Sequence, residues 1–299
     1  DFSGFTNRNI VGHGGYLIGA LAIWDYNNSL AASLLNRTLS AMAQATQMYG
    51  PDGAWWEGFV YWGYATSNAL MIRQSLLLSF GSDFGFLSNA PSFNRTGDFP
   101  LYSFTADRTL ARTGYGPTGN GASFNWADAN VSNFQYGAVP MWLHKAFPNP
   151  TYAFLSRQMV ADFYKCGDGC AEDPAVAADM LLFWNATGAC SDAVAQPLDR
   201  FFKSPYYREE KGSEPENSGV IGVFKSDWFC ANNSTGRTSI RPAKSVIIGM
   251  TCDMGLHKDV NSRLAALNDA EGLQVQLGYD GQVLDDLPLL PEATSCDSK

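Results

Sequence analysis

Apolar residues recur every three or four positions through the first two thirds of the chain, then give way to alternation. The stretches 12–26 (GHGGYLIGALAIWDY), 28–50 and 59–81 predict three helices. Asn28 or Ser29 is placed to cap the second, Gly50 to stop it, and Gly81 to end the third. A segment rich in Gly, Pro, Asn and Thr, 82–121, reads as a long loop, a length that is uncommon without a function. Helical texture returns over 125–147 and 149–164, the latter introduced by an Asn149–Pro150 turn, and briefly over 173–184, with Asp173 as cap and Pro174 in the first turn.

The polar run 204–219 reads as a linker. Beyond it, 219–229, 244–255 and 273–281 are rich in β-formers and predict strands. Helices first and strands afterwards imply an α+β chain of two packed units, a helical part over 1–204 and a β-sheet part over 205–299.

Charge and cysteine content narrow the setting. The net charge of −9, with no dense Lys/Arg cluster, argues against a nucleic-acid partner. No apolar run reaches the ~18 residues of a membrane span. Six cysteines, Cys166, Cys170, Cys190, Cys230, Cys252 and Cys296, all lie in the C-terminal half and permit a disulfide framework. Their pairing stays open. Cys166 and Cys170 bracket a Gly-containing loop that could close as a small ring, with a zinc site as the alternative. Seven N-x-S/T sites begin at Asn27, Asn36, Asn94, Asn130, Asn185, Asn232 and Asn233, where composition alone gives about two or three. Together with the start at Asp1, as in a processed product, these features predict a secreted or cell-surface protein with N-linked glycans.

The chemistry-bearing stretch is PDGAWWEGFVYWGYATSNALMI, 51–72. Trp55, Trp56, Tyr61, Trp62 and Tyr64 surround one acid, Glu57. Aromatic faces beside a carboxylate and phenols suit sugar rings and proton transfer on them. The same pattern equally describes an aromatic core where a helix meets a loop.

Four stretches give the chain a family likeness: NRNIVGHGGYLIGALAI, PDGAWWEGFVYWGYATS, FNRTGDFPLY with FNWADAN, and VIGVFKSDW. The chain resembles the heparinase II/III-like polysaccharide lyases, alginate and heparan lyases among them, over most of its length. The PDGxWxEGxxYWxY segment carries most of the likeness. The resemblance implies an incomplete (α/α) toroid followed by an antiparallel, sandwich-like β-sheet domain. It also implies β-elimination on a uronic-acid polysaccharide. One group neutralises the uronate carboxylate, a base removes the C5 proton, and an acid protonates the leaving oxygen. Asn9, with His13 beside it, matches the first role. Tyr64, with Tyr61 as second choice, matches the acid or base. Trp55, Trp56, Glu57 and Trp62 would bind or orient the sugar. Read locally, Asn9 equally caps a helix, His13 packs among glycines, and the two tyrosines join a core.

The family's His-rich strand motif is reduced here to His257 and Asp259, with Gly255 where another histidine is expected. His257 remains a third catalytic candidate. The pair supplies too few ligands for zinc, so no cofactor is expected. A shortened toroid would expose apolar helix faces, for a second copy or a partner chain to cover. The expected function is therefore an extracellular lyase-like glycoprotein that acts on or binds a uronic-acid polysaccharide. The alternative is a non-catalytic, glycosylated subunit of an extracellular assembly that keeps the same scaffold.

Overall fold

In the computed structural model of the chain, residues 4–105, 122–123, 137–164, 183–189, 191–192, 195–206, 217–225, 230–232, 238–240, 246–252, 274–279 and 282–283 are described. Helix α1 spans Asn7–Ala22, α2 Asn28–Thr46 and α3 Phe59–Phe80. The predicted stop of α3 is present. Gly81 adopts φ 70° and donates its N–H to Leu77 O at 2.9 Å, which closes the last turn in the left-handed region that glycine enters without penalty. The cap of α2 is Asn27 rather than Asn28 or Ser29, and its Oδ1 accepts from Leu30 N at 3.1 Å. A 3₁₀ turn, Gln47–Tyr49, carries α2 to Gly50, the predicted stop.

Helix α1 packs against both α2 and α3. Its buried positions Ile10, Gly14 and Leu17 follow the helical interval. At Gly14 an added Cβ would stand 2.5 Å from Ile72 Cδ1, so α1 and α3 pack closely at this point.

The expected loop after α3 contains short elements instead: a 3₁₀ turn at Phe93–Arg95, α4 over Asp98–Ser103, and β1 at Phe104–Thr105, paired with β2 at Ala122–Ser123. Asp83 organises its start. The carboxylate accepts from Gly85 N, Leu87 N, Ser88 N and Ser88 Oγ at 3.0–3.2 Å. Burial alone would raise this carboxyl; the hydrogen bonds outweigh it and hold the group below its ordinary value. Helices α5, Val139–Ala146, and α6, Pro150–Tyr164, pack on each other, and Asn149 Oδ1 accepts from Thr151 N at 3.0 Å at the start of α6. Residues 124–136 and most of the predicted helix 173–184 lie outside the described residues.

The strand expectations hold. The strands β3 (Asp199–Tyr206), β4 (Asn217–Lys225), β7 (Val246–Cys252), β8 (Gln274–Tyr279) and β9 (Gln282–Val283) form one antiparallel sheet in the order β3-β4-β7-β8-β9. A separate hairpin pairs β5, Cys230–Asn232, with β6, Thr238–Ile240. Helices followed by antiparallel strands make the chain α+β. The segment read as a linker is corrected in part: 204–206 and 217–219 are the facing ends of a hairpin, with Tyr206 opposite Asn217. Strand β3 starts at Asp199, so the expected boundary between 204 and 205 falls inside it.

Sheet and helices join through Phe202, which is buried against Phe99 (5.6 Å) and Tyr102 (6.1 Å). Beside that contact Asp98 accepts from Tyr152 OH at 2.9 Å and pairs with Arg200 at 3.1 Å. Burial, then the Asp98 charge, pushes the Tyr102 phenol up to about 12 and raises Tyr152 as well. These tyrosines are neutral hydrogen-bonding core residues at physiological pH.

Candidate functional site

The turn before α3 places the aromatic–acid cluster, and it points inward. Gly53, at φ 85°, donates to Tyr49 O at 2.7 Å, and its own carbonyl accepts from Thr96 Oγ1 at 2.5 Å. Trp62 Nε1 donates to the same hydroxyl at 2.8 Å. Trp55 and Trp62 are wholly buried and Trp56 nearly so. Tyr49 meets Trp55 at 4.8 Å and Phe93 at 4.7 Å, while Phe59 stacks on Trp62 at 5.7 Å. Burial raises the Tyr49 phenol; its hydrogen bond to Thr66 opposes that rise and the Glu57 charge adds to it.

Glu57 is 4% exposed. Its Oε2 accepts from Asn7 N at 2.7 Å and from Trp55 Nε1 at 3.0 Å, and its Oε1 accepts from Asn7 Nδ2 at 2.9 Å. Asn7 opens α1, and the preceding Thr6 makes no side-chain cap, so the carboxylate of a distant turn caps this helix. A negative charge at a helix N-terminus is also favoured by the aligned peptide dipoles. Trp56 Nε1 donates to Phe5 O at 2.8 Å and ties down the chain before α1.

The four side chains expected to bind sugar are therefore interior. Trp55, Trp56, Glu57 and Trp62 form a buried clasp between the start of α1, the turn before α3 and the 93–96 turn. Neighbouring rings pack on the Trp55 and Trp62 indoles, and the Glu57 carboxylate accepts from the start of α1.

Asn9 is interior too. It is 0% exposed. Its Nδ2 donates to Gly4 O at 2.7 Å and to Ala41 O, on α2, at 2.9 Å. Both amide hydrogens are engaged, so Asn9 has none to offer a uronate carboxylate. Its Oδ1 lies 3.0 Å from His13 Nδ1. His13 itself is half-buried.

The tyrosines divide. Tyr61 is half-buried and packs on the core, whereas Tyr64 is 39% exposed. Ser67 Oγ and Asn68 Nδ2 donate to the Tyr64 carbonyl at 3.2 and 2.8 Å and fasten this turn of α3. Of the residues expected to act on sugar, Tyr64 is exposed and His13 and Tyr61 are half-buried, on two helices that pack side by side. Sequence reasoning missed Asn7, Thr66 and Thr96. A lone acid inside an apolar run signals that a buried partner must exist, although nothing local says which.

Asn27, Asn36 and Asn94 are exposed and Asn185 is half-buried. Asn232 lies on β5, and Asn130 and Asn233 fall outside the described residues. So do His257, Asp259, Cys166, Cys170, Cys190 and Cys296, while Cys230 and Cys252 lie on β5 and β7. Among the described residues no group of three or more His, Cys, Asp or Glu side chains is placed to hold a metal ion. Nor is any of their helices long and apolar enough to cross a membrane. Comparison with known proteins finds no matching family model and no matching curated protein.

Proposed function

We propose that the chain is a uronate-directed, lyase-like domain of an extracellular glycoprotein, built on an incomplete (α/α) toroid with a sandwich-like sheet domain. In this reading His13 and Tyr64 meet the polymer. The supporting observation is the division within the expected site: His13 on α1 and Tyr61 and Tyr64 on α3 keep exposed surface on adjacent packed helices, while the tryptophans, Glu57 and Asn9 are committed to the interior. A ring N–H of His13 donates to the uronate carboxylate and so acidifies the C5 proton, the role first expected of Asn9. Tyr64 relays a proton to or from the sugar. The exposed sites at Asn27, Asn36 and Asn94 carry N-linked glycans in this account.

The test is incubation of the purified glycoprotein with alginate, heparan sulfate and pectate, following the ultraviolet absorbance of the unsaturated uronate product. Product is expected, with a loss of roughly 100-fold or more for Tyr64→Phe and for His13→Ala, the usual weight of a proton-transfer group. Neither product nor retention on an immobilised uronate polymer would end the reading.

Retention without product would support a second reading, a non-catalytic subunit of an extracellular assembly. The observation that favours it is the engagement of both Asn9 amide hydrogens, which removes the neutral donor that the reaction was expected to use.

A further inference from the structure

We infer that the N-linked glycan on Asn27 is seated on the protein's own surface, its first sugar lying on the exposed ring of Tyr26 and stabilising the turn between α1 and α2. The inference rests on the extracellular glycoprotein reading above and goes beyond it to what that glycan touches. Asn27, Asn28 and Ser29 form the N-x-S/T site. Asn27 Oδ1 is committed to the backbone, accepting from Leu30 N at 3.1 Å as the cap of α2. An NH₂ group cannot accept, so this contact fixes which end of the amide faces the helix. The nitrogen, which takes the sugar, is the other terminal atom. On attachment it bonds to the anomeric carbon of a sugar carried on a pyrophosphate, the C–O bond to pyrophosphate breaks, and one amide proton leaves. The carbonyl oxygen is untouched, so the glycosylated residue caps α2 as before.

Tyr26 stands immediately before this asparagine and is 92% exposed. A hydrogen-bonded turn displays it: Tyr26 N and Asn27 N both donate to Ile23 O, at 3.0 and 2.8 Å, and Trp24 N donates to Leu21 O at 3.2 Å. Leu30, whose N–H meets Asn27 Oδ1, is 48% exposed on the other side. Apolar surface is thus held in water on both flanks of the attachment point. A sugar tethered there covers it with little further loss of freedom, because it is already local. The C–H face of the sugar ring lies against the phenol while its hydroxyls stay in water. Asn185 repeats the arrangement. Trp184 before it is 58% exposed, and Asn185 Oδ1 accepts from Thr187 N at 2.7 Å. Asn36 and Asn94 lack it, since Leu35 and Phe93 before them are buried.

The test uses the full chain secreted by a eukaryotic host, beside a Ser29→Ala chain that abolishes the site and leaves Asn27 to cap α2. Glycopeptide mass spectrometry reads Asn27 first, and a glycan is expected on it. Tyr26→Ala is then made in both chains and the thermal midpoints are compared. With the glycan present, Tyr26→Ala is expected to lower the midpoint by roughly 2 °C; without it, the midpoint is expected to stay in place, because the ring is already in water. Equal shifts in the two chains, or an unmodified Asn27, would overturn the inference. A shift that grows with protein concentration would assign the ring to a second copy and overturn it as well. On the unsubstituted glycoprotein, nuclear Overhauser contacts from the Tyr26 ring protons to the first sugar are expected, and their absence would overturn the inference without any variant. A seated glycan on a chain that neither retains nor cleaves a uronate polymer would keep this inference and end the proposed lyase function. A chain that releases unsaturated uronate while its Asn27 glycan hangs free would do the reverse.

Discussion

Glu57→Ala is expected to destabilise the fold by roughly 4 kcal/mol. The substitution leaves Asn7 N, Asn7 Nδ2 and Trp55 Nε1 facing a void in which water cannot readily replace three acceptor contacts. A buried donor that loses its partner costs about 1–3 kcal/mol, and the start of α1 loses both its cap and a favourable charge. Against a total stability of ~5–15 kcal/mol for a typical domain, that is a large fraction. Urea denaturation would report it as a fall in midpoint at unchanged slope. Glu57→Gln retains an acceptor oxygen and is expected to cost less than the alanine change. A catalytic or sugar-binding glutamate would behave in the opposite way: Glu57→Ala within about 0.5 kcal/mol of the unsubstituted chain would refute the clasp.

Gly53→Ala is expected to cost about 3 kcal/mol, through two independent effects. The residue sits at φ 85°, where a side chain costs roughly 1–2 kcal/mol. The added Cβ would also lie 2.8 Å from Thr96 Cα and 2.9 Å from Arg95 C and Thr96 N. These are backbone atoms and cannot rotate aside, so the 53–56 turn and the 93–96 turn must separate, which adds an overpacking penalty of about 1–3 kcal/mol. Separation breaks the Gly53–Thr96–Trp62 chain of hydrogen bonds. Thermal unfolding monitored by near-ultraviolet circular dichroism reads both the lower midpoint and the disturbed indoles. A midpoint unchanged within a degree would show that the two turns are not held together as described.

The sequence showed some features of this architecture and hid others, for physical reasons. The stop of α3 was legible because Gly81 answers a local demand for a left-handed residue. Strands β4 and β7 were legible from composition, since β-branched residues cluster in them, and β8 from its alternation of Gln with Val and Leu. The segment after α3 read as a plain loop because Asp83 organises it through side-chain-to-backbone bonds, which leave no periodic trace. The cluster around Glu57 was located but not oriented. Aromatic residues beside an acid look alike whether they line a cleft or fill a core, and what separates the two is the partner of the acid. That partner, Asn7, lies 50 residues away. Asn9 shows the same limit: its four-residue spacing to His13 was visible, but the Gly4 and Ala41 carbonyls that claim its amide were not.

The aromatic stretch is thus the seam of the helical part, and in the proposed function contact with sugar falls to groups at its edge. The direct check is a nuclear magnetic resonance titration of the labelled protein with uronate oligomers, watching the indole Nε1–H signals and the His13 ring together. The account predicts that the indoles of Trp55 and Trp62 exchange slowly with deuterated water and hold their positions throughout, while His13 moves with added ligand. Rapidly exchanging indoles that shift on binding, beside a stationary His13, would contradict it.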